Sequence, residues 1–169
     1  MNTETNVERV TNDILASIHT GKLSPEADTF LTHWLSEEDK TAADREILTK
    51  LVDSNILPFD DRSLFRGCKT LRDGQVESYT PSIIEAARFA GKDGYVIAID
   101  AYKYCYDSFN LANLLGDLLD DILNGDKENI YSKKLIEEFA STGGEDEVLV
   151  RTKLDCSVVL KVAELGEWI

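Results

Sequence analysis

The hydrophobic pattern of this chain changes at Pro58, and the change separates two kinds of predicted structure. Before Pro58, apolar residues recur at helical spacing; after it, short apolar runs bounded by turn residues alternate with helical segments. Helices followed by strands that are interrupted by helices are typical of an α+β domain. We therefore predict an N-terminal helical segment over residues 1–58 and a compact α+β core over residues 59–169.

Three short helices are predicted before Pro58. The apolar residues of 5–20 recur every three or four positions. Ser24 followed by Pro25 reads as an N-cap with proline at the first helical position, and it predicts a second helix. A third helix is expected to end near Asn55.

The core is predicted to hold five strands and three helices. The helix that ends at Gly91 is capped either by Thr80, with Pro81 as its first residue, or by Ser82, and the sequence leaves both options open. Residues 107–141 form an acidic helical insertion that could act as a lid, recognise a target or simply pack. The predicted strands are 63–67, 75–80, 94–100, 147–151 and 156–162, and the other helices are 108–124 and 131–140.

The chain is strongly acidic, but one stretch of it is neutral. Eighteen Lys and Arg residues against 32 Asp and Glu residues give a net charge of −14. Such a surface repels nucleic-acid phosphates and anionic membranes at long range. Residues 59–106 carry seven bases and seven acids, so a small phosphorylated ligand, if the protein binds one, is expected there; ordinary surface bases would give the same balance.

The cysteines and the apolar runs bear on location. No apolar run reaches the ~18 residues that a membrane-spanning helix needs, and the first residues do not resemble a secretory signal. Cys68, Cys105 and Cys156 are widely spaced without a CxxC pair, which argues against a disulfide framework or a zinc cluster. We expect a cytoplasmic protein without a metal, of a size that suits a bacterial or phage effector acting inside a cell.

Three short segments carry candidate chemistry. Arg66 ends an apolar strand and can bind phosphate oxygens in bidentate fashion, while Gly67 permits close backbone approach. Ser78 and Thr80 face the same way on a strand, with Tyr79 on the other face. Alone, the first segment also fits an ordinary surface base and the second a capped strand-to-helix junction.

The third segment is an acidic pair at the start of a strand. Glu145 and Glu147 follow a glycine-rich loop and lie two residues apart. On an extended chain their carboxylates share one face, about 7 Å apart. Two close carboxylates suit a cationic centre or a division of acid and base roles, although a solvated acidic loop end explains the pair equally well.

Taken in order, the three segments resemble the ADP-ribosyltransferase superfamily of the Arg…Ser…Glu class. That class has an arginine on an early strand, a Ser-aromatic-Ser/Thr segment before a helix, and a Glu-x-Glu pair that opens a strand. The resemblance covers residues 62–162 and implies a split β-sheet core. The matching residues here are Arg66, Ser78-Tyr79-Thr80 with Ala87 and Phe89, and Glu145-Asp146-Glu147.

The resemblance implies an enzyme that cleaves the nicotinamide–ribose bond of NAD and needs no metal. Glu147 would be the catalytic glutamate, which bonds the ribose 2′-hydroxyl and stabilises an oxocarbenium-like state. Ser78 would support Glu147, and Glu145 would orient or deprotonate the acceptor. Arg66 would hold the phosphates of NAD, which makes it the fourth residue of the implied catalytic set.

The implied cofactor-binding set is wider. The backbone of Gly67 would meet the nicotinamide amide, Tyr79 would pack behind the serine segment, and Thr80 would fix its turn. The full set is Arg66, Gly67, Ser78, Tyr79, Thr80 and Phe89.

In this class a Glu-x-Glu pair goes with arginine acceptors, so the implied function is mono-ADP-ribosylation of arginine on a target protein. The acidic surface disfavours an RNA acceptor without excluding it. Two alternatives stay open: a catalytically inactive relative that binds NAD, ADP-ribose or only a protein, and an acidic DNA mimic that inhibits a nucleic-acid-binding protein.

Overall fold

The computed structural model describes residues 5–36, 40–56, 63–100, 107–123, 132–141 and 147–165. The chain divides into two compact units: Met1–Leu51 with Leu111–Glu145, and Val52–Asn110 with Asp146–Ile169. Residues 111–145, which include most of the helical insertion predicted over 107–141, thus belong to the same unit as the first helices. No helix in the described residues combines the length and apolar character needed to cross a bilayer.

The first unit is built from helices whose starts follow the capping signals. Thr5 and Glu8 form a reciprocal capping box at the start of α1, and Ser24 Oγ accepts from the Ala27 N–H with Pro25 first in α2, as predicted. The helices are α1 (Asn6–Thr20), α2 (Pro25–Leu35), α3 (Ala42–Asp53), α5 (Leu111–Leu123) and α6 (Lys133–Ser141), with α4 in the other unit.

A buried carboxylate joins α2 to α6. The Asp28 carboxylate accepts from the N–H of Ser132 at 2.8 Å and from its hydroxyl at 2.5 Å. Ser132 Oγ accepts in turn from the Leu135 N–H. Asp28 therefore holds the residue that caps α6, and both of its carboxylate oxygens accept hydrogen bonds where it is buried.

In its described residues, the second unit contains two small antiparallel sheets and two helices. The elements are β1 (Ser63–Cys68), β2 (Val76–Tyr79), α4 (Ile83–Ala90), β3 (Tyr95–Asp100), β4 (Ser108–Asn110), β5 (Val148–Arg151), β6 (Val158–Lys161) and α7 (Val162–Leu165). The sheets have the strand orders β1-β3-β6 and β2-β5-β4. The α+β class is thus confirmed.

Alternate residues of β1 point to opposite faces of the sheet and pack into two different apolar clusters. Leu64 belongs to a buried cluster that includes residues of both sheets, among them Tyr79, Ile97 and Val148. Phe65 faces the other way and packs against a second cluster on α4. The sheet β1-β3-β6 is thus covered by apolar contacts on both faces.

Several element boundaries differ from the prediction by one to three residues, and two of the differences have a cause that the structure shows. The helix expected over 108–124 begins at Leu111, because residues 108–110 pair with β5 as β4. The strand expected over 156–162 is shorter, because Cys156 closes a 3-10 turn and the buried Val162 begins α7. At the start of α4 the structure selects Ser82 as the N-cap, since its hydroxyl accepts from the Glu85 N–H.

Candidate functional site

An isolated bridge brings β1 alongside the end of β2. The Phe65 N–H donates to the Thr80 carbonyl at 2.7 Å, and the Thr80 N–H donates to the Phe65 carbonyl at 2.8 Å. The pair is antiparallel, so the residue after Phe65 lies beside the residue before Thr80. Arg66 and the serine segment, distant in the sequence, are neighbours for this reason.

The Arg66 guanidinium is held by two contacts on β2. One terminal nitrogen, Nη1, donates to the Ser78 carbonyl oxygen at 2.9 Å. The other, Nη2, lies 3.0 Å from Oε2 of Glu77. Among the bases of 59–106 that the structure describes, Arg66 is half-buried, whereas Lys69, Arg72, Arg88 and Lys92 are exposed. The side chain therefore has a fixed orientation that an exposed base would lack.

Glu77 is a site residue that the motif search missed. Its side chain is 8% exposed, and it lies opposite Val150 on the face of β2 that also carries Tyr79. The sequence does contain a signal for it. Glu77 lies two positions before Tyr79 on the same strand, and this spacing places its charge on the face of the buried tyrosine. A carboxylate on the buried face of a strand requires a partner, and Arg66 supplies it.

Ser78 and Glu147 meet across the β2–β5 pair. The Ser78 hydroxyl donates to Oε1 of Glu147. Ser78 lies opposite Leu149 in the register, so Glu147, two residues earlier, is its diagonal neighbour on the same face. Strand pairing thus explains how residues 69 positions apart come into contact.

The structure joins Arg66 and Glu147 through one residue. Ser78 accepts from the guanidinium with its backbone carbonyl and donates to the carboxylate with its side chain. The two contacts use different atoms and do not compete. Ser78 of β2 therefore holds a cation and a carboxylate at fixed positions.

Gly67 is required by helix packing. A Cβ at this position would lie 1.8 Å from the carbonyl oxygen of Ala86 and 2.9 Å from the backbone nitrogen of Ala90, both on α4. The missing side chain therefore faces the helix, which is a reason for glycine separate from the close ligand approach inferred from the sequence.

Tyr79 and Thr80 are structural parts of the segment. Tyr79 is 2% exposed, and its hydroxyl pairs with that of the buried Thr152 at 2.8 Å. Thr80 Oγ1 accepts from the Ser82 N–H, which shapes the entry to α4. Tyr79 thus packs behind the segment, and its burial leaves it no surface for direct contact with a ligand in this conformation.

Two other predicted site residues are not brought to Ser78 by a described contact. Phe89 is 64% exposed on α4, among the more exposed large apolar side chains. Glu145 lies outside the described residues, so its spacing from Glu147 stays a prediction.

Cys68, two residues after Arg66, reports the electrostatics of β1. Burial raises the pKa of its thiol above the ordinary value of 9.0. The nearby Arg66 opposes this rise, and Glu77 adds to it. The thiol thus senses both members of the ion pair. Elsewhere in the described ranges, no three His, Cys, Asp or Glu side chains are grouped as metal ligands would be.

Comparison of the chain with protein-family models, curated proteins and solved structures gave no match.

Proposed function

We propose that this protein is an NAD-dependent mono-ADP-ribosyltransferase that modifies arginine on a target protein. The observation that carries the proposal is the double role of Ser78, which binds the Arg66 guanidinium and the Glu147 carboxylate at once. Arginine, serine and glutamate, in this order along the chain, are also the residues on which the sequence resemblance rests.

The chemistry of these groups suits cleavage of a nicotinamide riboside bond. When the bond between ribose C1′ and the ring nitrogen breaks, its electron pair leaves with nicotinamide and C1′ gains positive charge. A carboxylate already oriented by a hydrogen bond stabilises that charge most strongly in the transition state. Glu147, fixed by Ser78, is the carboxylate we assign to this role.

Arg66 is assigned to the diphosphate of NAD. A guanidinium carries five N–H donors, and the contacts to Ser78 and Glu77 occupy two of its nitrogens with one bond each. A planar group in a fixed orientation loses little side-chain entropy when an anion binds. The acceptor nitrogen of arginine would then attack C1′ and lose its proton to Glu145.

The decisive experiment measures nicotinamide release from NAD by the wild type and by Glu147→Gln. The amide keeps the size of the side chain but lacks its charge. We expect the rate to fall by about 10²–10³, the loss that follows removal of one preorganised stabilising group. Glu85→Gln, an exposed residue on α4 paired with Arg88, is the matched control and should retain the wild-type rate.

The acceptor class needs a separate assay with labelled NAD and a small guanidine. Glu145→Gln should lose transfer to the guanidine while it still releases nicotinamide. NAD that binds wild type without any release of nicotinamide would instead identify a catalytically inactive relative.

The net charge of −14 favours a second candidate, an acidic inhibitor that mimics DNA. Asp117 and Asp120 are exposed on α5 and add to this surface. Such an inhibitor would bind a basic partner equally well as wild type and as Glu147→Gln, and high salt would abolish binding. Loss of target engagement in Glu147→Gln alone would argue against it.

A further inference from the structure

Glu77 is a carboxylate on a face of β2 that is otherwise apolar. Its neighbour on that face, Tyr79, and its cross-strand partner, Val150, are both buried. Removing a carboxylate from water costs several kcal/mol unless it is paired and hydrogen-bonded. Hydrophobic packing alone would favour an aliphatic residue here, so the carboxylate calls for another explanation.

Its partner is the guanidinium that we assign to the diphosphate. Glu77 Oε2 lies 3.0 Å from Nη2 of Arg66, whose side chain is 21% exposed. The Ser78 carbonyl takes Nη1 at 2.9 Å. Two acceptors on consecutive residues of one strand therefore fix both the position and the plane of the guanidinium, a charge-assisted geometry.

We propose that Glu77 is a positioning residue, which holds the Arg66 guanidinium in the orientation that receives the diphosphate of NAD. This inference rests on the proposed function. Without Glu77, the bond to the Ser78 carbonyl would be the remaining hydrogen bond of Arg66 within the described part of the chain, and the guanidinium could rotate about it. The diphosphate would then have to fix the side chain during binding.

Glu77 could instead weaken NAD binding, so the test can come out in either direction. A carboxylate beside the guanidinium also lowers the local positive potential and competes with phosphate for its N–H groups. If competition dominated, removing the charge of Glu77 would strengthen NAD binding. If positioning dominates, it weakens binding.

The test compares KM and kcat for nicotinamide release in wild type and Glu77→Gln. We expect KM for NAD to rise about tenfold with kcat changed less than twofold, since Arg66 binds the substrate and the transition state alike. In an Arg66→Gln background, the same change at Glu77 should not alter KM further, because the residue acts through Arg66. Glu85→Gln serves again as the control.

A merely structural role would lower the melting temperature and leave KM and kcat of the folded enzyme unchanged. Unchanged or lower KM in Glu77→Gln, with an active wild type, would overturn this inference and leave the proposed function intact. A wild type that releases no nicotinamide would overturn both.

Discussion

Replacing Gly67 by Ala tests whether α4 fixes the position of β1. The added Cβ would lie 1.8 Å from the Ala86 carbonyl oxygen, 2.8 Å from its carbonyl carbon and 2.9 Å from the Ala90 nitrogen. All three atoms belong to the backbone, so no side-chain rotation can relieve the clash. Reaching an ordinary contact of 3.4 Å requires the helix and strand to separate by more than an ångström.

Overpacking a well-filled site costs about 1–3 kcal/mol, and a clash with backbone belongs at the upper end of that range. For a chain of this length, about 3 kcal/mol corresponds to a fall in melting temperature of roughly 6–12 °C. Thermal unfolding followed by circular dichroism measures it. Gly116→Ala is the matched control, because no atom of the described residues beyond its own stretch of α5 lies within 4 Å of the added Cβ and alanine favours the helical conformation of α5.

The same substitution should also affect the site. Arg66 precedes Gly67, so a displaced β1 would carry the guanidinium away from the Ser78 carbonyl. Nicotinamide release should therefore fall in Gly67→Ala at temperatures where the variant is still folded, and remain normal in Gly116→Ala. Wild-type stability in Gly67→Ala would refute the close packing of α4 on β1.

Three further predictions concern single groups. Ser78→Ala removes the hydroxyl that donates to Glu147. Because one charge-assisted hydrogen bond is lost, we expect kcat for nicotinamide release to fall about 10–100-fold. An unchanged kcat would contradict the assigned role. Tyr79→Phe removes the bond to Thr152 and should lower the free energy of unfolding by about 1–2 kcal/mol in urea titrations, so equal stability would contradict it. Burial raises the pKa of the Cys68 thiol, so the unfolded chain loses this proton at a lower pH than the folded chain, and stability falls as pH rises through the alkaline range. Cys68→Ala should remove that part of the slope between pH 8 and 10, and identical slopes would count against the shift.

The helices and their caps follow from local sequence because each signal lies within a few residues. Ser24 and Pro25 specify the start of α2 through one hydrogen bond and one fixed backbone angle. The short strand at residues 108–110 was missed because Phe109 fits the apolar pattern that continues into α5. Its true partner is Leu149 on β5, forty residues away, and local periodicity carries no information about such pairing.

The candidate site could be predicted from the sequence only in part, because the contacts that form it join residues distant in the chain. Arg66 and Ser78 were selected by residue type and local context, but their contact depends on the Phe65–Thr80 bridge. Period-two alternation already places Glu77 on the face of Tyr79, and a buried carboxylate implies a buried cation. Nothing in the sequence, however, says which cation this is.

The position of Ser78 makes the two assigned groups depend on a single strand. β2 is four residues long, yet its backbone and side chains supply the acceptors for Arg66 and the donor for Glu147. The face of β2 that carries Glu77 also carries Tyr79, whose hydroxyl bonds that of Thr152. Loss of this hydroxyl bond should therefore disturb the guanidinium and the carboxylate together, whereas a change at Glu77 should disturb the guanidinium alone. We therefore expect Tyr79→Phe to change both kcat and KM for nicotinamide release, and Glu77→Gln to change KM alone. If neither variant changes these constants in the folded protein, β2 stabilises the fold without positioning the two charges assigned to the site.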